Sequence, residues 1–163
     1  MDSENLDFLE DPFLDQEAVS AIDNYFDQLL TDYPTGIKPG EYNLEASMGK
    51  DNVPTIQLVN NILFKALQKE AQELRIIPLK REILIRANQG TGFYELLNTK
   101  LPVLLIESIV NIIRLNAGME KLAKNKPVVG KMLLIHKDTV KEVVIRTLPG
   151  THGTSLSLSF QNK

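Results

Sequence analysis

The residues best placed for chemistry lie in the stretch Arg146-Thr147-Leu148-Pro149-Gly150-Thr151-His152-Gly153. His152 is one of only two histidines and sits in a glycine-rich loop. A histidine so placed invites reading as a general base or a metal ligand, because imidazole titrates near neutral pH and coordinates metals well. Either role needs partners. A zinc site takes three or four His, Cys or carboxylate ligands at short spacing, yet His136 lies sixteen residues upstream with no ligand motif around it. Cysteine is absent, which removes thiolate nucleophiles, thiolate metal sites and disulfides. No Gly-x-Ser-x-Gly elbow presents a serine nucleophile.

Phosphate cradling needs glycine, four residues, then Gly-Lys-Ser/Thr. The pair Gly49–Lys50 has Leu44 where the first glycine belongs and Asp51 in place of the hydroxyl. The pair Gly130–Lys131 has Asn125 and Met132 at those positions. No catalytic residue, metal or cofactor is therefore expected, and the chain reads as a non-enzyme. Its basic residues are scattered and accompany no base-stacking motif, so nucleic acid is not the expected partner.

Charge is divided along the chain. Residues 1–37 hold ten acidic residues and no Lys or Arg, a charge of −10, while the remainder carries +7. An acidic arm thus precedes a basic body. It reads as a solvated tail, or as a docking segment for a basic partner or for the chain's own basic face. Interleaved apolar residues favour docking: Phe8, Leu9, Phe13 and Leu14 stand among acids. Next, Val19, Ile22, Phe26 and Leu29 recur at helical spacing, with Asp23 and Asp27 assigned to the opposite side, which predicts an amphipathic helix over about 16–31. The stretch "YPTGIKPGEY", with two prolines and two glycines, breaks the helical pattern, and residues 38–52 read as a linker.

From residue 53 the pattern alternates. Thr55 to about Leu74 predicts a helix on a stripe of Ile56, Val59, Leu63, Ala66 and Leu67. Three short strand candidates follow, "LRIIP", "EILIRA" and "GFYELL". A second helix is expected over about Leu101–Asn116, apolar on most of its circumference, which marks Leu105, Ile109 and Ile112 as candidates for an interface. Three longer strands close the order, "VVGKMLLIH", "VKEVVIRTL" and "SLSLSF". In the last, Leu156, Leu158 and Phe160 should face the core and Ser155, Ser157 and Ser159 face out. The class is α+β: two main helices on a mostly antiparallel sheet in the order α-β-β-β-α-β-β-β, preceded by the acidic helix. The richest apolar stretch is too short and too polar for a membrane span, and the acidic start lacks a signal-peptide pattern, so a cytoplasmic location is expected.

Taken in order, "VPTIQLVNNILFKALQKEAQELRIIP", "GFYELL", "LLIESIVNIIRLNAGM" and "IRTLPGTHGTSLSLSF" resemble the N-terminal α/β domain of type II secretion and type IV pilus assembly ATPases. That family typically reads Ser-Thr-Leu-Pro-Thr-x-His-Gly at the end of the domain, and Thr147, Leu148, Pro149, His152 and Gly153 match in place. The resemblance covers about residues 53–161. It implies a tight connection between the last two strands at Pro149, Gly150, His152 and Gly153, with the imidazole satisfying backbone groups. It also implies that arginines of this domain would face phosphate on a motor domain's nucleotide, and the candidates are Arg75, Arg86 and Arg146.

The departures are as informative. The motor domain, with its phosphate loop, does not occur in this sequence. The family's Asp and His of the first strand fall on Glu73 and Arg75, a second basic position near Asn88 is lost, and an arginine position falls on Val144, with Arg146 two residues later on the same face. The resemblance therefore implies a retained fold with its nucleotide chemistry largely lost: an interaction or regulatory module whose protein partner is a secretion or pilus motor ATPase or its assembly platform. That partner would hold it at the inner face of a membrane. The alternatives are a nucleotide or ligand sensor, an accessory giving arginines in trans, and a structural adaptor in an unrelated pathway.

Overall fold

A computed structural model describes residues 12–49, 53–119 and 126–162, with side chains of the first helix described from residue 16. Helix α1 spans Pro12–Leu29. Strand β1 (Gly40–Asn43) and the short helix α2 (Leu44–Met48) follow. Then come α3 (Pro54–Gln68), β2 (Glu73–Pro78), β3 (Glu82–Asn88), β4 (Phe93–Glu95) and β5 (Leu101–Pro102). A 3-10 turn, Val103–Leu105, leads into α4 (Ile106–Asn116), and β6 (Val129–His136), β7 (Thr139–Gly150) and β8 (Gly153–Asn162) complete the chain. The fold is α+β.

One sheet runs in the order β1-β6-β7-β8-β2-β3-β4, with β5 also paired to β3. Only β1–β6 is parallel among the described pairs. The inner face carries Leu74, Ile76, Ile83, Ile85, Met132, Leu134, Val143, Ile145, Leu156 and Leu158, and packs on α3 and α4. Helix α3 presents Val59, Ile62, Leu63 and Ala66 at helical spacing, and α4 presents Ile106, Ile109, Val110 and Ile113.

Several boundaries differ from expectation for local reasons. Helix α3 starts with Pro54 in its first turn and ends at Gln68, not near Leu74. There Glu70, at φ +54°, donates its N–H to Leu67 O, and Ala71 donates to Ala66 O, a left-handed C-terminal cap built without glycine. Leu101 and Pro102 pair with β3 instead of opening α4, held by Val103 N donating to Arg81 O. Within the expected linker, β1 and α2 join the fold. Tyr42 and Leu44 are buried, and Tyr42 Oη donates to Asn60 Oδ1 at 2.5 Å.

The largest difference concerns the outer face. Ser155, Ser157 and Ser159 are buried, as is every residue of β2. On that face α1 meets Arg75 and Arg86, and its Phe26 is fully buried outside the main core.

Candidate functional site

The outer face is organised by register. Arg86 of β3 lies across from Arg75 of β2, Arg75 across from Ser157 of β8, and Ser157 across from Arg146 of β7. Because side chains alternate along a strand, residues opposite one another share a face, so these form one transverse row, ended by Glu95 of edge strand β4. Arg75, Arg86 and Arg146, three positions scattered in sequence, are thereby brought together.

Arg75 is the centre. Its side chain is 0% exposed. Nε donates to Glu73 Oε2 at 2.6 Å and Nη2 to Glu73 Oε1 at 3.2 Å, a two-pronged grip within one strand. Nη1 donates to Asp23 Oδ1 at 2.8 Å and Nη2 to Asp27 Oδ1 at 2.6 Å. Asp23 Oδ1 also accepts from Arg86 Nη2 at 2.6 Å. Both guanidiniums lie over the Phe93 ring, at 4.5 Å for Arg75 and 4.7 Å for Arg86, and Arg75 also faces the Phe26 ring at 5.6 Å. Ser157 Oγ donates to Glu73 Oε2 at 2.7 Å. Burial alone would pull the Arg75 guanidinium down, but the hydrogen bonds to Glu73, Asp27 and Asp23 outweigh it and hold it above its ordinary value.

The row extends toward the end of α1. Arg146 donates to the Asp32 carbonyl, and the Lys131 ammonium sits 4.4 Å from the Tyr33 ring centre. Burial lowers the Arg146 pKa, against the opposing pull of Asp32, Glu73 and Tyr25. Thus α1 lays its Asp23–Phe26–Asp27 face on the arginines. Those aspartates, assigned from sequence to the solvent side, are turned to the sheet, where they make charge-assisted hydrogen bonds to Arg75 and Arg86. Ile22 and Leu29 are only half-buried.

Other sequence candidates fall elsewhere. Phe8 and Leu9 lie outside the described residues, as do the side chains of Phe13 and Leu14. Ile109 is a core residue, so it presents no surface, and Leu105 and Ile112 are partly buried against that core. The apolar exposure near α4 belongs to Leu104 and Leu115, 88% and 65% exposed. Thr151 and His152 form a two-residue connection between paired Gly150 and Gly153. Gly153 is required there: its φ is +124°, and a Cβ would come within 2.9 Å of Ile106 Cγ2. His152 is exposed, and its imidazole makes no hydrogen bond to a described residue, contrary to the role expected for it in the turn. His136 ends β6 and pairs with Thr139 at the start of β7, while His152 lies just past the other end of β7, so the length of that strand separates them. Among the described residues no group of three or more His, Asp or Glu is placed to hold a metal ion.

Lys131, of the second Gly-Lys pair, lies buried within β6, 3.8 Å from Glu142, so no phosphate-wrapping loop surrounds it. Asn88 turns its side-chain oxygen onto the backbone N–H groups of Gly90 and Gly92, shaping the turn after β3.

No family model matches the chain. Among curated proteins it is similar to type II secretion system protein E of Dickeya dadantii, 28% identical over 115 residues that make up 71% of this chain and 23% of that protein. It is similar to the protein of the same name from Pectobacterium carotovorum, 27% identical over 69% of this chain and 22% of that protein. It is also similar to GTPase Der of Methylococcus capsulatus, 26% identical over 92% of this chain and 34% of that protein. The chain thus matches less than a quarter of each of these secretion proteins and about a third of Der. The secretion matches agree with the N-terminal resemblance drawn from "TLPGTHG".

The sequence marked the three arginines but missed Asp23 and Asp27 as their partners, and Glu73 and Phe93 as the groups that position them. A usable signal existed: the aspartates are four apart, hence on one helix face, in a segment of −10 preceding a body of +7.

Proposed function

We propose that this chain is a non-catalytic interaction and regulatory module that acts with a type II secretion or type IV pilus motor ATPase or its assembly platform. The carrying observation is the arginine row matched by an acidic helix. The most elaborate polar arrangement among the described residues is a charge-matched recognition surface, with no nucleophile and base placed together. The similarity to type II secretion system protein E over about seventy per cent of the chain supports the choice of partner class.

A second reading is favoured by one detail. Arg86 Nε is buried yet has no hydrogen-bond partner among the described residues. An arginine with a free donor could be presented in trans to a nucleotide on a neighbouring motor, where such a group can strongly affect the rate.

One experiment tests both. The purified chain is incubated with ATP or GTP alone, then with a type II secretion ATPase, and phosphate release and complex formation by size-exclusion chromatography are recorded. No release by the chain alone, together with a complex, is expected. Hydrolysis by the chain alone, or no complex, overturns the first reading. A change in motor rate that Arg86→Ala abolishes while the complex persists favours the second.

A further inference from the structure

We infer that the outer face of the sheet is a binding site for an acidic amphipathic helix supplied by another protein, and that α1 is its tethered internal competitor. The inference rests on the interaction-module reading and names the chemistry of the partner.

The occupant defines that chemistry. Two carboxylates one helical turn apart, Asp23 and Asp27, clamp Arg75 and Arg86, and an aromatic ring between them, Phe26, is fully buried beside Arg75. The recognised pattern is therefore Asp-x-x-Phe-Asp on a helix. A free phosphate would match the guanidiniums but would leave the Phe26 position empty. That face also buries Ile77 and Val144, outside the main core. Apolar ground between fixed cations suits a peptide helix.

Three features make α1 displaceable. Its fit is incomplete: Asp27 is 56% exposed, and Arg86 Nε is left without a partner. Part of the row's support comes from the sheet itself, since Glu73 grips Arg75, Ser157 bonds Glu73, and the Phe93 ring lies under both guanidiniums. And the backbone link from α1 to the sheet is an extended connection from Thr31 to Pro39, which touches the sheet at Arg146 and Lys131, and in which Gly36 has φ +81° and a Cβ would meet nothing within 4 Å. A short tether gives α1 an effective concentration of about millimolar, so a partner must out-compete it or arrive when it is released.

The test uses a fluorescein-labelled peptide copying residues 16–33 as the probe and fluorescence anisotropy as the readout. The full chain carrying Asp23→Asn and Asp27→Asn should bind this peptide at least tenfold more tightly than the wild-type chain. High salt should weaken binding, and a peptide carrying Phe26→Ala or both Asp→Asn changes should lose it. Equal affinity of both chains, or equal binding of the altered peptides, overturns the inference. A second chain keeps the test decisive if the double variant misfolds: the full chain with a protease site inserted between Thr35 and Gly36, then cut. The cut chain should exchange its own α1 for the labelled peptide, and retention of α1 with no uptake of peptide refutes the site. Because no motor is present, these outcomes stand apart from those of the motor-complex experiment.

Discussion

Arg75 is a cation placed where a cation is costly, with no exposed side-chain surface, and the chain meets the cost with carboxylates from two sources. Glu73 belongs to the same strand and is itself buried, whereas Asp23 and Asp27 come from α1 and are partly open to water. The two sources should not weigh equally. Removing a partner from a buried pair strands the other charge, at about 3–5 kcal/mol, while an exposed pair contributes about 0–1 kcal/mol. Arg75→Met should therefore lower unfolding stability by about 3–5 kcal/mol in urea titrations, because Glu73 loses its counter-ion. Asp27→Asn should stay within about 1 kcal/mol. Joining Arg75→Met with Glu73→Gln should cost less than the two changes summed, since each removes the same interaction. Equal losses for Arg75→Met and Asp27→Asn would show that Glu73 is not the principal partner.

At the level of elements, how much was legible depended on how local the cause was. Strict alternation in "SLSLSF" and the helical stripe of α3 gave the correct elements, because those periods follow from backbone geometry. The fate of Ser157 was misread because the buried cluster it joins, Glu73 with Arg75, is completed by α1 from the far end of the chain. The same distance hid the pairing of Asp23 with Arg75, although each residue stood out by itself. β1 was missed because its signal is only four residues long and its evidence is tertiary. Gly40 allows β1 to pass so close to α4 that a Cβ would lie 2.2 Å from Asn116 O and 2.5 Å from the Ala117 carbonyl carbon. Both are backbone atoms at the end of a helix and cannot move separately. A Cβ on Gly130 would meet Met119 Cγ and Sδ at 2.5 Å, but that side chain is long and adaptable. Gly40→Ala should thus cost at least about 3 kcal/mol or prevent folding, while Gly130→Ala should cost about 1–3 kcal/mol, the usual range for overpacking. Comparable thermal melts for the two variants would mean that β1 can shift away from α4.

The molecule as a whole has two layers held by different physics. The inner layer, α3 and α4 on the sheet, is an apolar core from Tyr42 through Phe160. The outer layer is a single helix attached by ion pairs, a cation facing an aromatic ring, and one fully buried side chain, Phe26. Apolar burial is nearly indifferent to moderate salt, whereas separated charges attract counter-ions, which favour the opened state. Opening α1 separates an arm of −10 from a body of +7, so long-range attraction favours closure most at low ionic strength. The two layers should therefore come apart in different steps. Under native-state hydrogen exchange, amides of α1 should open well below the global unfolding free energy, and those of β7 and β8 only with global unfolding. Raising sodium chloride from 0.05 to about 1 M, where the screening length falls from over ten to about 3 Å, should speed exchange in α1 several-fold and leave β7 and β8 unchanged. If α1 were as protected as β8 at every salt concentration, Phe26 and the apolar contacts around it, and not the carboxylates, would be what fastens the helix to the sheet.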